Sequence, residues 1–289
     1  MDFPGNMMIF TLFAIIIAVE GGGHKTWSYK HYCAANDEEP WSYHGVTNGP
    51  RQWPQLFPMC DGNQQSPVSI NTNRVAEDNS LARLNFIGYD TPITQAEVLN
   101  NGHTVMFTPQ DGVKRGITIE GRQFTFQQLH FHFGSVRKPG AEHTVNRIRY
   151  PVEAHFVHSS DDNITAVVGL LIDVRKRNNP AYGPIVEVLP EVRFKDETTD
   201  LQSPLNLNDL LPENPASYYR YTGSLTTPTC NEGVIWSVLQ AVQTIGYSQL
   251  NSFLRLYAVE EDEKSRDCEM APNYRPIQDL NNRVIYASQ

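Results

Sequence analysis

The feature that most constrains this chain is the short stretch QQLHFHFG at residues 127–134. In a β-strand successive side chains point to opposite faces, so His130 and His132 would lie on one face. The opposite face would carry only apolar side chains, those of Leu129, Phe131 and Phe133. Two imidazoles side by side on a rigid strand are typical of part of a metal site, although a bare His-x-His pair is more often two surface or hydrogen-bonded core histidines.

A second strand-like run, VEAHFVH, favours the metal interpretation. Glu153 and His155 share one face of this run, so His155 can supply a third ring nitrogen. Gln128 precedes His130 by two residues and Glu153 precedes His155 by two, which puts an acceptor beside each ring to fix its tautomer. Three protein ligands and an open fourth position are the pattern of a catalytic zinc ion. The sequence therefore predicts a zinc site at His130, His132 and His155.

The N-terminus begins with a separate apolar segment. Residues 7–19 are almost all apolar, are too few to span a bilayer comfortably, and are followed closely by small residues. This pattern predicts a secretory signal peptide over residues 1–20 and a short N-terminal segment over residues 21–40. An uncleaved signal anchor stays open, because the start carries Asp2 and no Lys or Arg. No later stretch is long and apolar enough to cross a membrane, so we expect a secreted, extracellular protein.

Residues 41–289 are expected to form one domain, because no repeat, low-complexity segment or change in composition divides them. Hydrophobic residues make up 40% of the chain and charged residues 19%, as in ordinary globular proteins. The net charge is -9 and no basic stripe is present, which argues against nucleic acid as a partner. The acidic run at residues 260–263 is interpreted as a solvated loop.

Cysteines and one sequon fit a protein that passes through the secretory pathway. The cysteines are four in number, Cys33, Cys60, Cys230 and Cys268. An even number behind a secretion signal predicts two disulfides, with three pairings open. Asn163 begins the sequon Asn-Ile-Thr after a polar stretch, and is therefore a candidate glycosylation site.

Short runs of alternating or β-branched residues predict a β-rich fold. Besides the histidine strands, the candidate strands are residues 69–70, 84–86, 104–107, 117–119 and 166–174. Helical spacing is scarce and is found at residues 182–189, 207–211 and 234–242, the last continuing toward Leu256 and being the best helix candidate. We therefore expect one β-sheet core with a few short peripheral helices.

Several motifs occur in an order and spacing shared with a known family. They are HFHFGS at 130–135, EHTV at 142–145 and EAHFV at 153–157, with QSPV at 65–68, NNGH at 100–103, YTGSLTTP at 221–228 and NYRP at 273–276. From about Trp41 to Ser288 the chain resembles the secreted type of α-class carbonic anhydrase. The resemblance implies an α+β, β-rich single domain built on a large twisted, mostly antiparallel central sheet with short peripheral helices. It also implies zinc at the base of a conical cleft.

The resemblance implies roles for particular residues. His130, His132 and His155 would bind zinc through neutral rings, and zinc would lower the pKa of a bound water to about 7, the value known for carbonic anhydrase itself. The resulting hydroxide would attack CO2 and give bicarbonate. Thr226 would accept a hydrogen bond from that hydroxide and donate one to Glu142, which aims the nucleophile. Considered alone, Glu142 would be a solvated acid in a polar loop.

Other matched positions concern the substrate and the proton. Those expected to contact CO2 are Val157, Val167, Leu225, Thr226, Thr227 and Trp236, and for the apolar ones plain core packing is a compatible alternative. His103 matches the family's proton shuttle, since a histidine with a near-neutral pKa can relay a proton to buffer. Tyr43, Asn101 and Thr227 match residues that order the intervening water.

The resemblance further implies a disulfide between Cys60 and Cys230, which would hold the loop that carries Thr226. Cys33 and Cys268 lie outside the common pattern. They would either pair with each other or bridge to another subunit, and a homodimer is therefore a possible state.

Two other function classes stay open. A non-catalytic relative used for binding would typically lose ligand histidines, and all three are present. A mineral or matrix protein that uses the domain as a module would need an acidic or Gly-Asn-rich insertion, and none is visible. His143 and His158 match no ligand position and are expected to be structural or exposed. The expected function is that of a secreted zinc lyase that interconverts CO2 and bicarbonate.

Overall fold

One large sheet dominates the structure. The computed structural model describes Cys33 and residues 39–213, 215 and 217–288. All of these residues belong to a single unit, Tyr32–Gln289. The predicted signal peptide and most of the predicted N-terminal segment lie outside the described residues.

Strands outnumber helices in the described chain. The strands are β1 (Ser69–Ile70), β2 (Ala76–Glu77), β3 (Asn85–Ile87), β4 (Ala96–Asn100), β5 (Val105–Pro109), β6 (Gly116–Ile119), β7 (Arg122–Phe133), β8 (Thr144–Val145), β9 (Ile148–Arg149), β10 (Val152–Ser159), β11 (Thr165–Arg175), β12 (Thr198–Asp200), β13 (Tyr218–Ser224), β14 (Glu232–Leu239), β15 (Gln243–Gly246) and β16 (Tyr286–Ala287). The α-helices are α1 (Trp53–Leu56), α2 (Gly183–Val188), α3 (Leu207–Leu210) and α4 (Tyr247–Phe253). Short 3-10 helices are Pro58–Asp61, Pro180–Tyr182, Leu189–Val192, Glu261–Glu263 and Arg266–Cys268. The predicted β-rich fold with few short helices is confirmed.

Within the described residues, thirteen strands form one mixed sheet. Its neighbours follow the order β12-β4-β5-β7-β10-β11-β14-β13-β16-β2, with β15 beside β11, β6 beside β7 and β3 beside β6. β14 and β15 run parallel to β11, and β2 runs parallel to β16. The other pairs of this sheet are antiparallel, so the prediction of a mostly antiparallel sheet is confirmed. A smaller sheet has the order β1-β8-β9.

The central strands β7, β10 and β11 carry the histidine motifs. β7 and β10 pair antiparallel, with His130 opposite His155 and His132 opposite Glu153. β10 and β11 are buried along nearly their whole length, as expected of strands that have neighbours at both edges and side chains packed on both faces. The apolar side chains that alternate with the histidines of β7 pack in the largest core cluster, as the alternating pattern predicts; they are Leu129, Phe131 and Phe133.

Apolar clusters lie on both faces of the sheet. Val168 and Leu170 of β11 belong to the larger cluster, whereas Val167 and Leu171 belong to a second one. Neighbours along a strand point to opposite faces, so the two clusters are on opposite sides. His155 lies opposite Gly169 on β11, on the same face as Val167, and the histidines therefore face the smaller cluster.

The helix predicted at residues 234–242 is wrong. This segment forms β14, and the helix α4 begins only at Tyr247. Its apolar spacing fits a helix and a fully buried strand almost equally well, so periodicity alone does not decide. β14 pairs with β11 on one side and β13 on the other, which satisfies its backbone and buries Trp236 and Val238. The helices predicted at 182–189 and 207–211 correspond to α2 and α3.

Both cysteine pairs are closed within the chain. Cys60 bonds to Cys230, and Cys33 bonds to Cys268. The alternative in which Cys33 or Cys268 bridges to another subunit is therefore wrong, because each already has its partner. No helix in the described part of the chain is long and apolar enough to cross a membrane.

Candidate metal centre

Three histidines converge on the face of the sheet that carries the smaller apolar cluster. His130 and His132 come from β7 and His155 from β10, and one ring nitrogen from each lies within 4.8 Å of the other two. The convergence follows from the strand register, because directly opposed residues of paired strands point the same way. The Nδ1 atom of His155 is 3.3 Å from the Nε2 atom of His130.

The outer nitrogen of each ring donates a hydrogen bond to an oxygen that can only accept. Nδ1 of His130 donates to Oε1 of Gln128 at 2.8 Å, and Nε2 of His155 donates to Oε1 of Glu153 at 2.8 Å. Nδ1 of His132 donates to the carbonyl oxygen of Asn273, also at 2.8 Å. These three contacts fix the tautomers, so each inner nitrogen carries a lone pair directed at the common point.

The donor set fits a zinc ion. Zinc takes tetrahedral nitrogen ligands at about 2.0–2.1 Å, so two ligand nitrogens on one ion are about 3.3 Å apart. That matches the separation between the inner nitrogens of His130 and His155. Nε2 of His132 is buried and has no hydrogen-bond partner among the described residues, which is costly unless a ligand satisfies it.

Burial keeps the three rings neutral. It lowers the pKa of His132 to about 4, although the Asn273 carbonyl and Glu153 act to raise it. It also lowers the pKa of His130 and of His155, with the neighbouring rings adding to the effect in both cases. Neutral imidazole is the form that binds a metal, so the site is ready for a cation at neutral pH.

A second group of possible ligands, His143, Glu153 and His155, is already satisfied internally. His143 donates from Nδ1 to Glu153 at 2.7 Å and accepts at Nε2 from the Tyr221 hydroxyl at 2.6 Å. Burial alone would raise the pKa of Glu153, but His143 and His155 outweigh it and hold that pKa well below its usual value. This group is therefore a hydrogen-bond network that orients His155 rather than a second metal site.

Both histidines without a ligand role are structural. His143 and His158 are each fully buried. His158 accepts from the Tyr89 hydroxyl at 2.7 Å on the opposite side of β10 from His155.

Glu142 lies beside the metal centre with one oxygen unsatisfied. Its Oε1 accepts from the backbone N–H of Arg275 at 2.8 Å, and its Oε2 is 3.4 Å from Nε2 of His132. Oε2 has no hydrogen-bond partner among the described residues. Burial raises the pKa of Glu142 to about 7, while His155, the Arg275 N–H and the Thr226 side chain act to lower it.

The residues predicted to line the substrate site form a row next to the histidines. Val157 of β10 lies opposite Val167 of β11, which lies opposite Trp236 of β14. Leu225 packs against the same cluster, and the Trp236 ring is 4.9 Å from that of His155. Thr226 is buried beside this row, whereas Thr227 is partly exposed. The structure thus brings an apolar surface into contact with one histidine of the candidate metal centre.

His103 is farther from the centre, at a separate aromatic group. Its ring stacks on Trp41 with 3.7 Å between centroids, and Tyr43 lies edge-on to both His103 and His132 at 6.4 Å from each. Burial lowers the pKa of His103 to about 4. Asn101 uses its side-chain oxygen to accept from the backbone N–H groups of His103 and Thr104, which makes it a turn residue in this arrangement.

Four residues that contact the site received no role from the sequence. They are Trp41, Tyr221, Asn273 and Arg275. Asn273 and Arg275 belong to the NYRP motif, so the motif marked the segment without indicating what it touches. The contact of Asn273 with His132 joins residues 141 apart in the chain and that of Arg275 with Glu142 residues 133 apart, and no local pattern carries that information.

The fold and the site define a protein class: a large mixed sheet whose central strands hold three histidines arranged as a metal centre. Comparison with known proteins agrees. The sequence model of the family "Eukaryotic-type carbonic anhydrase" matches residues 48–289.

Individual relatives cover most of the chain. Carbonic anhydrase 12 of Homo sapiens is 35% identical over 266 residues, which are 86% of this chain and 73% of the relative. Carbonic anhydrase 6 of Bos taurus is 31% identical over 268 residues, 88% of this chain and 82% of the relative. Carbonic anhydrase 6 of Homo sapiens is 32% identical over 264 residues, which are 85% of this chain and 82% of the relative. The chain belongs to the eukaryotic-type carbonic anhydrase family and is an enzyme of that family.

Proposed function

We propose that this chain binds Zn²⁺ at His130, His132 and His155 and catalyses the reversible hydration of CO2 to bicarbonate and a proton. The observation that carries the proposal is the convergence of three inner ring nitrogens whose outer nitrogens are all engaged. A bound zinc ion supplies a nucleophile at neutral pH by lowering the pKa of a coordinated water to about 7, the value known for carbonic anhydrase.

Thr226 and Glu142 orient the nucleophile in this proposal. A hydroxyl group donates one hydrogen bond and accepts others, so Thr226 can accept from the attacking oxygen only while its own proton points elsewhere. Glu142 is the acceptor for that proton, and the free Oε2 atom supports this role. The Arg275 N–H occupies the other carboxylate oxygen, which limits the ways in which Glu142 can turn.

The apolar row binds CO2 beside the nucleophile. The row consists of the side chains of Val157, Val167, Leu225 and Trp236, and it offers a substrate no hydrogen-bonding group. Such an apolar surface suits CO2, because this molecule has no net dipole. Thr226 and Thr227 follow Leu225 directly in the chain, and their hydroxyl groups can hydrogen-bond the product, which bears charge and hydrogen-bonding oxygens. This difference between the apolar row and the two hydroxyl groups helps bicarbonate leave the apolar surface.

His103 relays the proton to buffer. A relay needs a pKa near neutrality, and burial in the stacked position holds the pKa of His103 at about 4. The ring therefore needs access to solvent to take up the proton. Tyr43 is edge-on to both His103 and His132 and therefore borders the path between the centre and the relay. Asn101 contributes by holding the turn that presents His103, and Thr227 by ordering water.

The protein is proposed to be secreted, with residues 1–20 as its signal peptide and residues 41–289 as its catalytic domain. Two disulfides support an oxidising destination. Asn163 is exposed in a turn with φ of 62°, which supports glycosylation there. A homodimer stays a prediction from the sequence, and neither Cys33 nor Cys268 is available to link its subunits.

The test combines metal analysis with stopped-flow CO2 hydration on the purified protein. We expect about one zinc per chain, activity that a strong chelator abolishes, and recovery on adding zinc. His132→Ala removes one ligand and should lose both metal and activity. His158→Gln is the matched control, since it changes a buried histidine on β10 that faces away from the centre. Full zinc and full rate in His132→Ala would refute the site, and an inert zinc-loaded protein would indicate a non-catalytic relative.

A further inference from the structure

The cationic side chain of Arg149 contacts the backbone on both sides of Glu142. Arg149 lies in β9, the second strand of a hairpin whose first strand begins two residues after Glu142. Its Nη1 atom donates to the carbonyl oxygen of Ala141 and, at 3.0 Å, to that of Glu142. Its Cζ atom lies 4.2 Å from the centre of the Tyr274 ring.

The two carbonyl groups belong to the two peptide groups that flank Glu142. The carbonyl of Ala141 shares a planar peptide with the N–H of Glu142, and the carbonyl of Glu142 shares one with the N–H of His143. Both of these N–H groups donate to Oε2 of Glu153 at 2.8 Å. Each peptide plane is therefore held at its N–H edge by Glu153 and at its carbonyl edge by Arg149.

Holding both peptide planes fixes the direction in which the Glu142 side chain leaves the backbone. A planar peptide leaves only two soft dihedral angles at each residue, and the orientations of the two flanking peptides set both angles. At the far end of the side chain, Oε1 accepts from the N–H of Arg275, whereas Oε2 has no hydrogen-bond partner among the described residues. The carboxylate and the backbone are thus held by different groups, and Arg149 acts on the backbone.

Arg149 is the hydrogen-bond donor on which both carbonyl groups depend. Ala141 and Glu142 are fully buried, and in the part of the chain that the structure describes their carbonyl oxygens accept hydrogen bonds from Arg149 alone. A buried carbonyl without a donor is costly, so we expect both peptides to tilt toward other donors once Arg149 is removed. Glu153 holds only the N–H edges and therefore does not prevent this tilt.

The Tyr274 ring keeps the guanidinium of Arg149 in place. A cation over the face of an aromatic ring is attracted by the electron density of that face. Tyr274 directly precedes Arg275, whose N–H binds Oε1 of Glu142 at 2.8 Å. The guanidinium therefore contacts both chain segments that meet at Glu142.

We propose that Arg149 is a positioning residue that fixes the backbone of Glu142, so that the free Oε2 atom is directed at Thr226. The proposal rests on the function proposed above, in which Thr226 donates to Glu142 while it accepts from the attacking oxygen. Arg149 touches no reacting atom and acts only through Glu142. Its removal should therefore lower the rate of attack on CO2 without releasing the metal.

The experiment compares three variants with the parent, all zinc-loaded. Arg149→Met removes both donated hydrogen bonds, whereas Arg149→Lys keeps a cation that can donate to two acceptors, as Nη1 does. Arg147→Met is the matched control, because Arg147 is exposed in the turn of the same hairpin. Stopped-flow CO2 hydration gives kcat/KM, and NMR hydrogen exchange of the Arg275 N–H reports whether this group still binds Glu142.

We expect Arg149→Met to lower kcat/KM by about 3- to 10-fold, because a small displacement of an orienting group is costly in rate. Zinc content should stay the same, since no histidine of the candidate metal centre is changed. The Arg275 N–H should exchange about 10-fold faster relative to the amides of β11, which report the stability of the whole fold. Arg149→Lys should recover most of the rate, and Arg147→Met should match the parent.

A second comparison separates positioning from support of the fold. In a Glu142→Gln background the carboxylate that Arg149 positions is absent, so adding Arg149→Met should lower kcat/KM no further. A further fall as large as that in the parent would mean that Arg149 only stabilises the fold, and this would overturn the proposal. If Arg149→Met does not fold, Arg149→Gln is used in both backgrounds with the same expectations, since its amide is too short to serve both carbonyl groups.

An unchanged kcat/KM in Arg149→Met would also overturn the proposal, whatever the exchange rate of the Arg275 N–H. The exchange rate separates this inference from the proposed function. If the parent itself does not hydrate CO2, the proposed function fails, whereas the exchange of the Arg275 N–H still decides whether Arg149 holds Glu142 in position.

Discussion

Asn273 shows how much of the site depends on single residues. Its carbonyl accepts from His132, and its side-chain oxygen accepts from the backbone N–H of Phe133 at 2.7 Å. Its side-chain nitrogen donates to the carbonyl groups of His103 and Phe131 at 2.9 and 3.0 Å. One buried residue thus ties together a histidine of the candidate metal centre, the strand that carries it and His103, with every polar atom of its side-chain amide engaged.

Gln128, which accepts a hydrogen bond from the His130 ring, should matter for metal affinity. Gln128→Ala removes the acceptor that fixes the His130 ring, so we expect zinc affinity to fall about 10-fold or more. Gln127→Ala is the matched control, because Gln127 is exposed and bonds only to the carbonyl of Thr125 in its own strand. Competition with a fluorescent chelator measures both. Equal affinities in the two variants would contradict an orienting role for Gln128.

The buried pair of His158 and Tyr89 should make stability depend on pH. Burial lowers the pKa of His158 to about 3, so the unfolded chain binds more protons than the folded one below about pH 6.5. Stability from this residue is therefore complete above pH 6.5 and is lost as pH falls toward 3, by about 2 kcal/mol at pH 5. Urea unfolding at pH 7 and pH 5 checks this.

Two variants separate the titration from the hydrogen bond. His158→Gln should cost about 1 kcal/mol at pH 7 and show a smaller loss between pH 7 and pH 5. Tyr89→Phe removes the hydroxyl that donates to His158 and should cost a similar amount at both pH values. If His158→Gln loses as much stability on acidification as the parent, another group is responsible.

At the scale of elements, strand pairing decides what each side chain contacts. The register of β7 against β10 brings His130 and His155 together, and the register across β11 and β14 builds the apolar row beside them. A shift by one residue would turn the histidines into the core and the apolar side chains toward the site. The same pairing makes β14 a strand as far as Leu239, within the segment 234–242 where apolar spacing alone had predicted a helix.

At position 223, where β13 pairs with β14, only glycine fits without a steric clash. A Cβ there would lie 2.1 Å from Oγ of Ser66, 2.7 Å from the Tyr221 ring and 3.0 Å from the Trp236 ring. Both rings are buried, so Gly223→Ala should destabilise the protein by about 1–3 kcal/mol through overpacking. Gly183→Ala is the control, because its Cβ would meet no atom within 4 Å, and it should be neutral or slightly stabilising. Chemical unfolding measures both, and equal effects would refute the steric argument.

At the scale of the whole molecule, distant segments meet around one arginine. The buried guanidinium of Arg275 donates to the carbonyl groups of Cys60 and Ser66 at 3.1 and 2.9 Å and to Oε1 of Gln65 at 2.8 Å. Its backbone N–H donates to Glu142. The Cys60–Cys230 disulfide joins the same region to the loop that carries Thr226. Stability and the geometry of Thr226 and Glu142 are therefore linked.

Removing that disulfide should separate metal binding from activity. Cys60→Ser/Cys230→Ser should destabilise the protein by about 2–5 kcal/mol and lower the CO2 hydration rate, while zinc stays bound because no ligand lies on these loops. Cys33→Ser/Cys268→Ser is the matched control, since it removes the other disulfide and should not lower the rate. Zinc content, chemical unfolding and stopped-flow rates test this, and an unchanged rate in the first variant would contradict the link.

The sequence by itself determined the strands that carry the histidines, the shared face of the three rings and the acceptors two residues away, because alternation along a strand is a local property. Family motifs predicted the Cys60–Cys230 pair, which the structure confirms, and roles for Glu142 and Thr226, which stay predictions. Only the tertiary structure decided that β14 is a strand and that Asn273 is the third acceptor. It also decided that Cys33 bonds to Cys268 and that Trp41 covers His103. These contacts join residues far apart in the chain, and they depend on which surfaces meet when the sheet is complete, which no local pattern encodes.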